Sequence, residues 1–165
     1  MFDGLCLVTS REQSLFRCVA AKEFVFFGAA PLESHFLYIT EEIMTRIIIA
    51  GSRSFDNYAR LEKILNAYIK DPKDVTVISG TAYGADRLGE QYAEKHGIHL
   101  IRRPADWALY GKVAGPIRNA EMARLAIADG CHGVLFAFWD GVSTGTQSMI
   151  ELAKEQGLDV YVVRY

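Results

Sequence analysis

The sequence has few cysteines, few prolines and no long apolar run, and these shortages exclude several classes of protein. Its three cysteines, Cys6, Cys18 and Cys131, lie far apart, so they predict neither a disulfide framework nor a paired metal-ligand motif. No uninterrupted apolar stretch reaches the roughly 18 residues that a membrane-spanning helix requires. We therefore expect a cytoplasmic protein that does not cross a membrane.

An excess of charge of either sign is also missing. The chain has 18 Lys and Arg against 20 Asp and Glu, and its formal net charge is −2. A protein that holds duplex nucleic acid by neutralising phosphates usually carries a basic excess, so nucleic acid is a disfavoured partner. The length of 165 residues predicts one compact domain.

Residues 1–43 differ from the rest of the chain. They show no sustained helical or strand periodicity, whereas a strand-like pattern begins at Met44. Two interpretations remain open. Either Met44 is the true start of the protein, or residues 1–43 form an accessory or oligomerisation arm. In both cases the domain covers residues 44–165.

From Met44 onward, short apolar runs alternate with helical patterns. The predicted strands cover residues 46–50, 75–78, 98–101, 133–139 and 158–163. The predicted helices cover residues 58–69, 85–96, 119–128 and 146–156, and a long loop covers residues 103–117. Strands that are apolar throughout indicate burial on both faces, and strand–helix alternation indicates right-handed crossovers. The predicted fold is an α/β, Rossmann-like, three-layer domain with a mainly parallel sheet of about five strands.

Small, hydroxyl and charged residues gather where these strands end, which is where open parallel sheets bind ligands. Two of the loops are rich in glycine and hydroxyl groups. Glycine lets backbone N–H groups approach an anion, and the helix N-terminus that follows favours negative charge. We therefore predict that the two loops hold the phosphate and ribose of a nucleotide. Their candidate residues are Ser79, Gly80, Thr81, Gly84, Ala85, Asp86, Gly141, Ser143, Thr144, Gly145 and Thr146.

Two further arginines are predicted at the same edge of the sheet. Gly51, Ser52 and Arg53 follow the first strand, and Arg53 could pair with a phosphate through two hydrogen bonds. Arg118 and Asn119 are predicted at the start of a helix. An arginine there is unfavourable unless an anion compensates it, which indicates an anionic ligand.

The predicted long loop supplies the remaining ligand-binding candidates. Asp106 could accept hydrogen bonds from ribose or base, Trp107 could stack on a base, and Lys112 could meet a phosphate. Two other interpretations stay open, because Trp107 could fill the core and Lys112 could be solvated.

Several common catalytic motifs are absent from the sequence. It contains no G-x-x-x-x-G-K-[ST] motif, and its first predicted strand is not followed by G-x-G-x-x-G. P-loop NTPases and ordinary NAD dehydrogenases are therefore disfavoured. No histidine or carboxylate constellation with metal-ligand spacing is present.

Several separated motifs occur at residues 49–53 (IAGSR), 80–86 (GTAYGAD), 105–107 (ADW), 111–122 (GKVAGPIRNAEM) and 143–146 (STGT). Together they resemble the motifs of the YspA-type branch of the SLOG superfamily. The resemblance covers residues 44–165 and none of the preceding segment. It implies a Rossmann-like fold, a site for nucleotides or their derivatives, a role as ligand sensor or carrier in bacteria or phages, and a homodimer.

A more distant resemblance is to the Lonely Guy family, which releases a base from nucleoside monophosphates. Residues 118–122 resemble its Arg-x-x-x-Met stretch, and residues 145–146 match the core of its Pro-Gly-Gly-x-Gly-Thr-x-x-Glu motif. The position of the catalytic glutamate is occupied by Met149, and Glu151 is turned from it by roughly 200° on a helix. Glu121 is a conceivable replacement or a solvated helix residue. The resemblance thus implies that binding is retained without the usual hydrolytic carboxylate.

We therefore expect a protein that binds a nucleoside monophosphate or a compound derived from ADP-ribose or NAD, with no metal and no required cofactor. The alternative is a hydrolase that cleaves the N-glycosidic or phosphoribosyl bond, with Arg118 and either Glu121 or Asp106 as its catalytic residues. A module that binds single-stranded DNA is the third possibility, and the near-neutral charge argues against it.

Overall fold

The computed structural model describes residues 43–165. The predicted extension at residues 1–43 therefore lies, except for Ile43, outside the described residues. Within the described part, no helix combines the length and the apolar character that crossing a membrane requires.

Five strands form one sheet in this part of the chain, and all neighbouring strands are parallel. They are β1 (Thr45–Gly51), β2 (Val75–Ser79), β3 (His99–Arg102), β4 (His132–Trp139) and β5 (Asp159–Arg164). Their order across the sheet is β3-β2-β1-β4-β5. Ile48 of β1 lies in register with Ile78 on one side and with Leu135 on the other. The predicted parallel sheet is confirmed.

Helices connect these strands. They are α1 (Tyr58–Tyr68), α2 (Ala85–His96), α3 (Trp107–Tyr110), α4 (Ala114–Ile127) and α5 (Thr144–Glu155). The side chain of Asn57 caps α1 by accepting a hydrogen bond from the Arg60 backbone N–H at 2.9 Å. Helix α2 ends at Gly97, whose φ of +65° is the left-handed conformation expected of glycine at a helix end. These local signals explain why the predicted helices at residues 58–69 and 85–96 are confirmed.

Alternate side chains of β1 enter two separate cores, and this makes the domain three-layered. Ile47 and Ile49 are fully buried in a core formed with residues of α1 and α2, including Leu61 and Tyr92. Ile48 lies in the second core, which includes residues of α4 and α5. Because helices cover both faces, the central strands read as continuous apolar runs. The Rossmann-like α/β fold is confirmed.

The edge strands depart from the prediction of burial on both faces. In β5, the side chains of Tyr161 and Val162 are about two-fifths exposed, and β3 has no fully buried residue. An edge strand has a neighbour on one side only, so its side chains receive less cover from helices and adjacent strands.

The prediction of a long loop at residues 103–117 is wrong. Helix α3 and a 3-10 turn at Gly111–Val113 occupy part of it, and α4 begins at Ala114 rather than at Asn119. Pro116 sits in the first turn of α4. Backbone N–H groups in the first turn lack intrahelical partners in any case, so proline is tolerated there.

Candidate functional site

A cleft of about 750 Å³ opens at the carboxyl edge of the sheet, next to β1 and β4. The chain leaves β1 towards one side of the sheet and β4 towards the other, so these strands form the topological switch point. Open parallel sheets bind ligands in the crevice at such a point. The volume lies within the range of about 300–1,000 Å³ that is typical of small-molecule sites.

Residues from all of the predicted segments meet in this cleft. The predicted residues that line it are Gly51, Arg53, Asp86, Trp107, Lys112, Arg118, Asn119, Ser143, Thr144, Gly145 and Thr146. The lining also contains residues that the sequence does not predict for the site, namely Ala50, Ser54, Ala82, Gly115, Pro116, Asp140, Ser148 and Met149. Asp140 directly follows β4, so the rule that strand ends carry the site could have found it.

The N-terminus of α5 opens into the cleft. Ser143 is its N-cap, and the Ser143 hydroxyl accepts hydrogen bonds from the backbone N–H of Thr146 at 3.4 Å and from its hydroxyl at 3.0 Å. Within the part of the chain that the structure describes, a Cβ atom at Gly145 would meet nothing within 4 Å, so these residues leave the space at this turn open. Backbone N–H groups in the first turn have no intrahelical partner, and the helix dipole is positive there. This end of the cleft is suited to an anion.

The loop between β4 and α5 is held in shape by the carboxylate of Asp140. Its Oδ1 atom accepts hydrogen bonds from the backbone N–H groups of Val142 at 2.9 Å and Ser143 at 2.8 Å. These bonds lower the pKa of Asp140, so its carboxylate is ionised at neutral pH. Gly141 lies outside the cleft lining, and its φ of +88° shows that it provides the turn.

Ser52 connects this loop to the loop after β1. The buried Ser52 hydroxyl accepts a hydrogen bond from the Asp140 backbone N–H at 3.2 Å, and the Ser52 backbone N–H donates to the Phe138 carbonyl at 2.9 Å. Ser52 was predicted to contact the ligand, but it lies behind the cleft lining. Its position gives it the role of joining two loops of the site.

The loop after β2 is built differently from the phosphate-holding loop that its glycines suggested. The Ser79 hydroxyl accepts from the Thr81 backbone N–H at 3.0 Å and donates to Glu90 at 2.7 Å. Thr81 has a left-handed φ of +59° and lies outside the cleft lining, as do Ser79, Gly84 and the buried Ala85. A Cβ atom at Gly84 would lie 2.3 Å from the Ser52 carbonyl oxygen. Gly84 therefore allows close packing of two loops.

Arg118 forms a buried ion pair with Asp86. Its Nη1 atom donates to the Gly80 carbonyl at 2.5 Å and lies 3.4 Å from Oδ2 of Asp86, while its Nε atom is buried without a partner among residues 43–165. The prediction that Arg118 starts a helix is wrong, because it lies in the second turn of α4. The compensating anion is the Asp86 carboxylate, so the position of Arg118 on its helix does not by itself require an anionic ligand.

Burial has the largest effect on the pKa values of Asp86 and Arg118. It raises the pKa of Asp86 to about 6, although Arg118 and the backbone N–H groups of Ala82, Gly80 and Gly51 act in the opposite direction. Burial likewise lowers the pKa of Arg118, an effect that Asp86 opposes. Asp86 and Arg118 therefore compensate each other inside the wall of the cleft.

Of the predicted residues in and next to α3, one stabilises the helix and two line the cleft. The carboxylate of Asp106 caps α3 by accepting from the Leu109 backbone N–H at 2.9 Å, and Asp106 does not line the cleft. Trp107 lines the cleft with its side chain 55% exposed, so it does not fill the core. Lys112, from the 3-10 turn that follows α3, is also exposed and lines the cleft.

The glutamates considered for hydrolysis lie elsewhere. Glu121 is exposed on α4 outside the cleft lining, and Glu151 is exposed on α5, where it accepts from Gln147 at 2.9 Å. Met149 lines the cleft and is buried. The wall of the cleft therefore carries a thioether at the position where the resemblance to hydrolases leads one to expect a carboxylate.

Fold and cleft together define a Rossmann-like α/β domain with a cleft at the switch point of its sheet. The chain belongs to the YspA, cpYpsA-related SLOG family, whose model matches residues 45–110. It is 33% identical over 123 residues to the Gene 61 protein of Mycobacterium phage D29, covering 71% of this chain and 94% of the phage protein.

A solved structure with the same type of fold is DNA processing protein A from Streptococcus pneumoniae. The TM-score is 0.55 at 17% sequence identity, and the match covers 75% of this chain. The chain spans about half of that protein, since the match covers 51% of its length. At this level of identity the likeness supports the fold.

Proposed function

We propose that the cleft binds a phosphorylated nucleotide or nucleotide derivative, and that the protein is a sensor or carrier of this ligand. The observation that carries the proposal is the open N-terminus of α5 in a cleft that Arg53 and Lys112 also line. Unpaired N–H groups, a positive helix end and two cations are the features that bind phosphate. Membership of a SLOG family supports the same class of ligand.

The other end of the ligand would meet Trp107. Its indole ring is exposed at the cleft, and a Cβ atom at Gly115 would lie 3.5 Å from Cη2 of the ring. Glycine at residue 115 therefore leaves one edge of the ring uncovered by a side chain. An exposed indole provides a stacking surface for a base.

A sensor or carrier is favoured over a hydrolase because of the carboxylates of the cleft. Hydrolysis of an N-glycosidic bond needs a carboxylate free to stabilise positive charge on the sugar or to activate water. Met149 stands at the position indicated by the resemblance, and Asp86 is engaged with Arg118. Within the described residues, Asp140 keeps one carboxylate oxygen free of backbone hydrogen bonds, but it lies in the loop before α5 rather than at the position that the resemblance indicates.

Native mass spectrometry of the freshly purified protein, followed by denaturation and identification of released compounds, tests the proposal directly. We expect a phosphorylated nucleotide derivative. Calorimetric titration with nucleoside 5′-monophosphates and ADP-ribose provides the second readout, in which Arg53→Ala should weaken binding about tenfold. Arg124→Ala is the matched control, because Arg124 is an exposed arginine outside the cleft lining. An empty protein that binds none of these compounds would refute the proposal.

A second candidate ligand is a single-stranded nucleic acid. Trp107 and Tyr110 are both exposed on α3, close in sequence to Lys112, and successive bases can stack on such aromatic side chains. The solved neighbour is named a DNA processing protein, which makes the test worthwhile. Titration of a labelled oligothymidine at physiological salt would favour this candidate if it saturates and if Trp107→Ala abolishes binding.

A further inference from the structure

We infer that Asp140 accepts hydrogen bonds from the sugar hydroxyl groups of the ligand, so that the cleft selects ribonucleotide derivatives over their deoxy counterparts. The inference rests on the proposed function and specifies it, because it names the sugar that the cleft recognises. The sequence predicts a hydroxyl-binding role for Asp106 instead, but the Asp106 carboxylate caps α3.

The carboxylate of Asp140 is held through Oδ1 by two backbone N–H groups, and the Ser52 side chain also contributes to its lowered pKa. Its Oδ1 atom accepts from the backbone N–H groups of Val142 and Ser143, and its own backbone N–H is fixed by the Ser52 hydroxyl. Among residues 43–165, these backbone hydrogen bonds to the carboxylate all end on Oδ1. Oδ2 therefore retains its capacity to accept, and the side chain loses little conformational freedom when it does so.

No cation neutralises this carboxylate within the described part of the chain. None of the ion pairs formed there within 4.0 Å includes Asp140, although Arg53 and Lys112 line the same cleft. The two backbone hydrogen bonds lower its pKa, so the charge persists at neutral pH. Hydroxyl groups of a ligand can donate to this ionised acceptor, and hydrogen bonds to a charged group are stronger than those between neutral groups.

The position of Asp140 relative to the anion site defines the kind of ligand. It lies in the loop that leads directly into the N-terminus of α5, so a hydroxyl-binding group and a phosphate-binding group share one loop. A bare phosphate at α5 would be repelled by the nearby carboxylate. A ribose phosphate presents its phosphate to the helix and its hydroxyl donors to the carboxylate. The hydrogen bonds of the hydroxyl groups offset the repulsion, so the cleft favours a ribose phosphate over a bare phosphate.

The other carboxylate in the cleft lining does not fit this role. Asp86 is 3.4 Å from Nη1 of Arg118 and almost completely buried, with a side-chain exposure of 3%. A hydroxyl group of a ligand would have to displace the ion pair to reach it. Asp140 is partly exposed and needs no such displacement.

The experiment compares ribonucleoside 5′-monophosphates with their 2′-deoxy and 2′,3′-dideoxy counterparts by calorimetric titration of the full chain. We expect the removal of both hydroxyls to weaken binding at least about tenfold, as for other hydrogen bonds to a charged group. In Asp140→Asn this difference should shrink, because the amide group that replaces Oδ2 is neutral and cannot accept hydrogen bonds from the hydroxyl groups. Asparagine keeps an oxygen that can accept from Val142 and Ser143, so the loop is expected to remain folded.

A second readout separates ligand recognition from a purely structural role. Inorganic phosphate should bind Asp140→Asn more tightly than the wild-type protein, because the repulsive charge is gone. A variant that merely loosened the loop would bind every anion less well. Asp56→Asn is the matched control, since Asp56 is an exposed aspartate outside the cleft lining, and it should change neither readout.

The outcomes distinguish this inference from the proposed function. Equal binding of ribonucleotides and dideoxynucleotides by the wild-type protein would overturn the role of Asp140 and leave nucleotide binding intact. Unchanged sugar selectivity in Asp140→Asn would do the same. If no nucleotide bound at all, the proposed function would fail, and the role of Asp140 would fail with it.

Discussion

The Nη1 atom of Arg118 occupies the space that a side chain at Gly80 would need. A Cβ atom built on Gly80 would lie 1.5 Å from Nη1 and 2.8 Å from Oδ2 of Asp86. The glycine at residue 80 thus allows the arginine to cross over the loop and reach both its carbonyl and the carboxylate.

Gly80→Ala is therefore expected to expel the guanidinium of Arg118 from its position. The free energy of unfolding should fall by about 1–3 kcal/mol, as for other overpacked interiors, and by more if Asp86 is left unpaired. Urea denaturation measures the change. Gly145→Ala is the control, because nothing lies within 4 Å of its Cβ position, and we expect a change within about 0.5 kcal/mol. Similar losses in both variants would contradict this account of Gly80.

Asp86 should make the folded protein less stable as pH rises, which is opposite to the usual effect of an aspartate. The pKa of this carboxyl rises from 3.8 to about 6 in the folded protein because of burial. Between these values the folded chain binds more protons than the unfolded chain, so the free energy of unfolding decreases as pH rises. The decrease attributable to Asp86 is at most about 3 kcal/mol and is complete above its folded pKa.

Comparison of the wild-type protein with Asp86→Asn isolates this contribution, measured as urea denaturation between about pH 4 and pH 7. The stability of the wild-type protein relative to the variant should fall across that window. Arg118→Met provides a second test, because loss of the cation should move the pKa of Asp86 above its wild-type value in a carboxyl NMR titration. A pKa that falls in Arg118→Met would show that the two groups do not interact as described.

Local patterns were sufficient to predict the sheet and most helices. The continuous apolar run at residues 47–50 belongs to a strand buried between two helical layers, and the glycine at residue 97 marked the end of α2. The start of α4 was missed because Gly115 and Pro116 are read locally as helix breakers. Both lie in the first turn, where the missing hydrogen bond of a proline matters little.

The site itself was predictable at the level of segments rather than of contacts. Strand ends indicated the correct edge of the sheet, since Arg53, Trp107 and Gly145 all line the cleft. The pairing of Arg118 with Asp86 was not visible, because it joins residues that are 32 positions apart and depends on how α4 packs over the loop after β2. The sequence identifies Arg118 and Asp86 as charged residues of the site, but it does not show that the two side chains form an ion pair.

The wild-type protein is expected to release no free base from nucleoside 5′-monophosphates. The reason is the placement of Met149 in the cleft lining and of Glu121 outside it. Chromatography of reaction mixtures incubated overnight, with buffer alone as the reference, measures the product. Base release that is lost in both Arg118→Ala and Glu121→Gln would establish the hydrolase instead.

Nucleotide binding should quench the fluorescence of Trp107, and this gives a direct test of the stacking position. The chain has two tryptophans, and Trp139 is partly buried with its indole N–H donating to the Ser143 carbonyl at 3.1 Å. In Trp139→Phe the signal therefore comes from the exposed indole at the cleft. Titration of this variant with a nucleoside monophosphate should quench the emission in a saturable manner, because a stacked base is in contact with the ring.

The contribution of the indole to affinity follows from the same geometry. Stacking of one base on an aromatic side chain is worth about 1–3 kcal/mol, so Trp107→Ala should weaken nucleotide binding about fivefold or more. Tyr110→Ala is the matched control, because Tyr110 is an exposed aromatic residue of the same short helix outside the cleft lining. Equal losses in the two variants would indicate that α3 as a whole, rather than a stacked indole, contacts the ligand. A loss confined to Trp107→Ala would place the base against that ring.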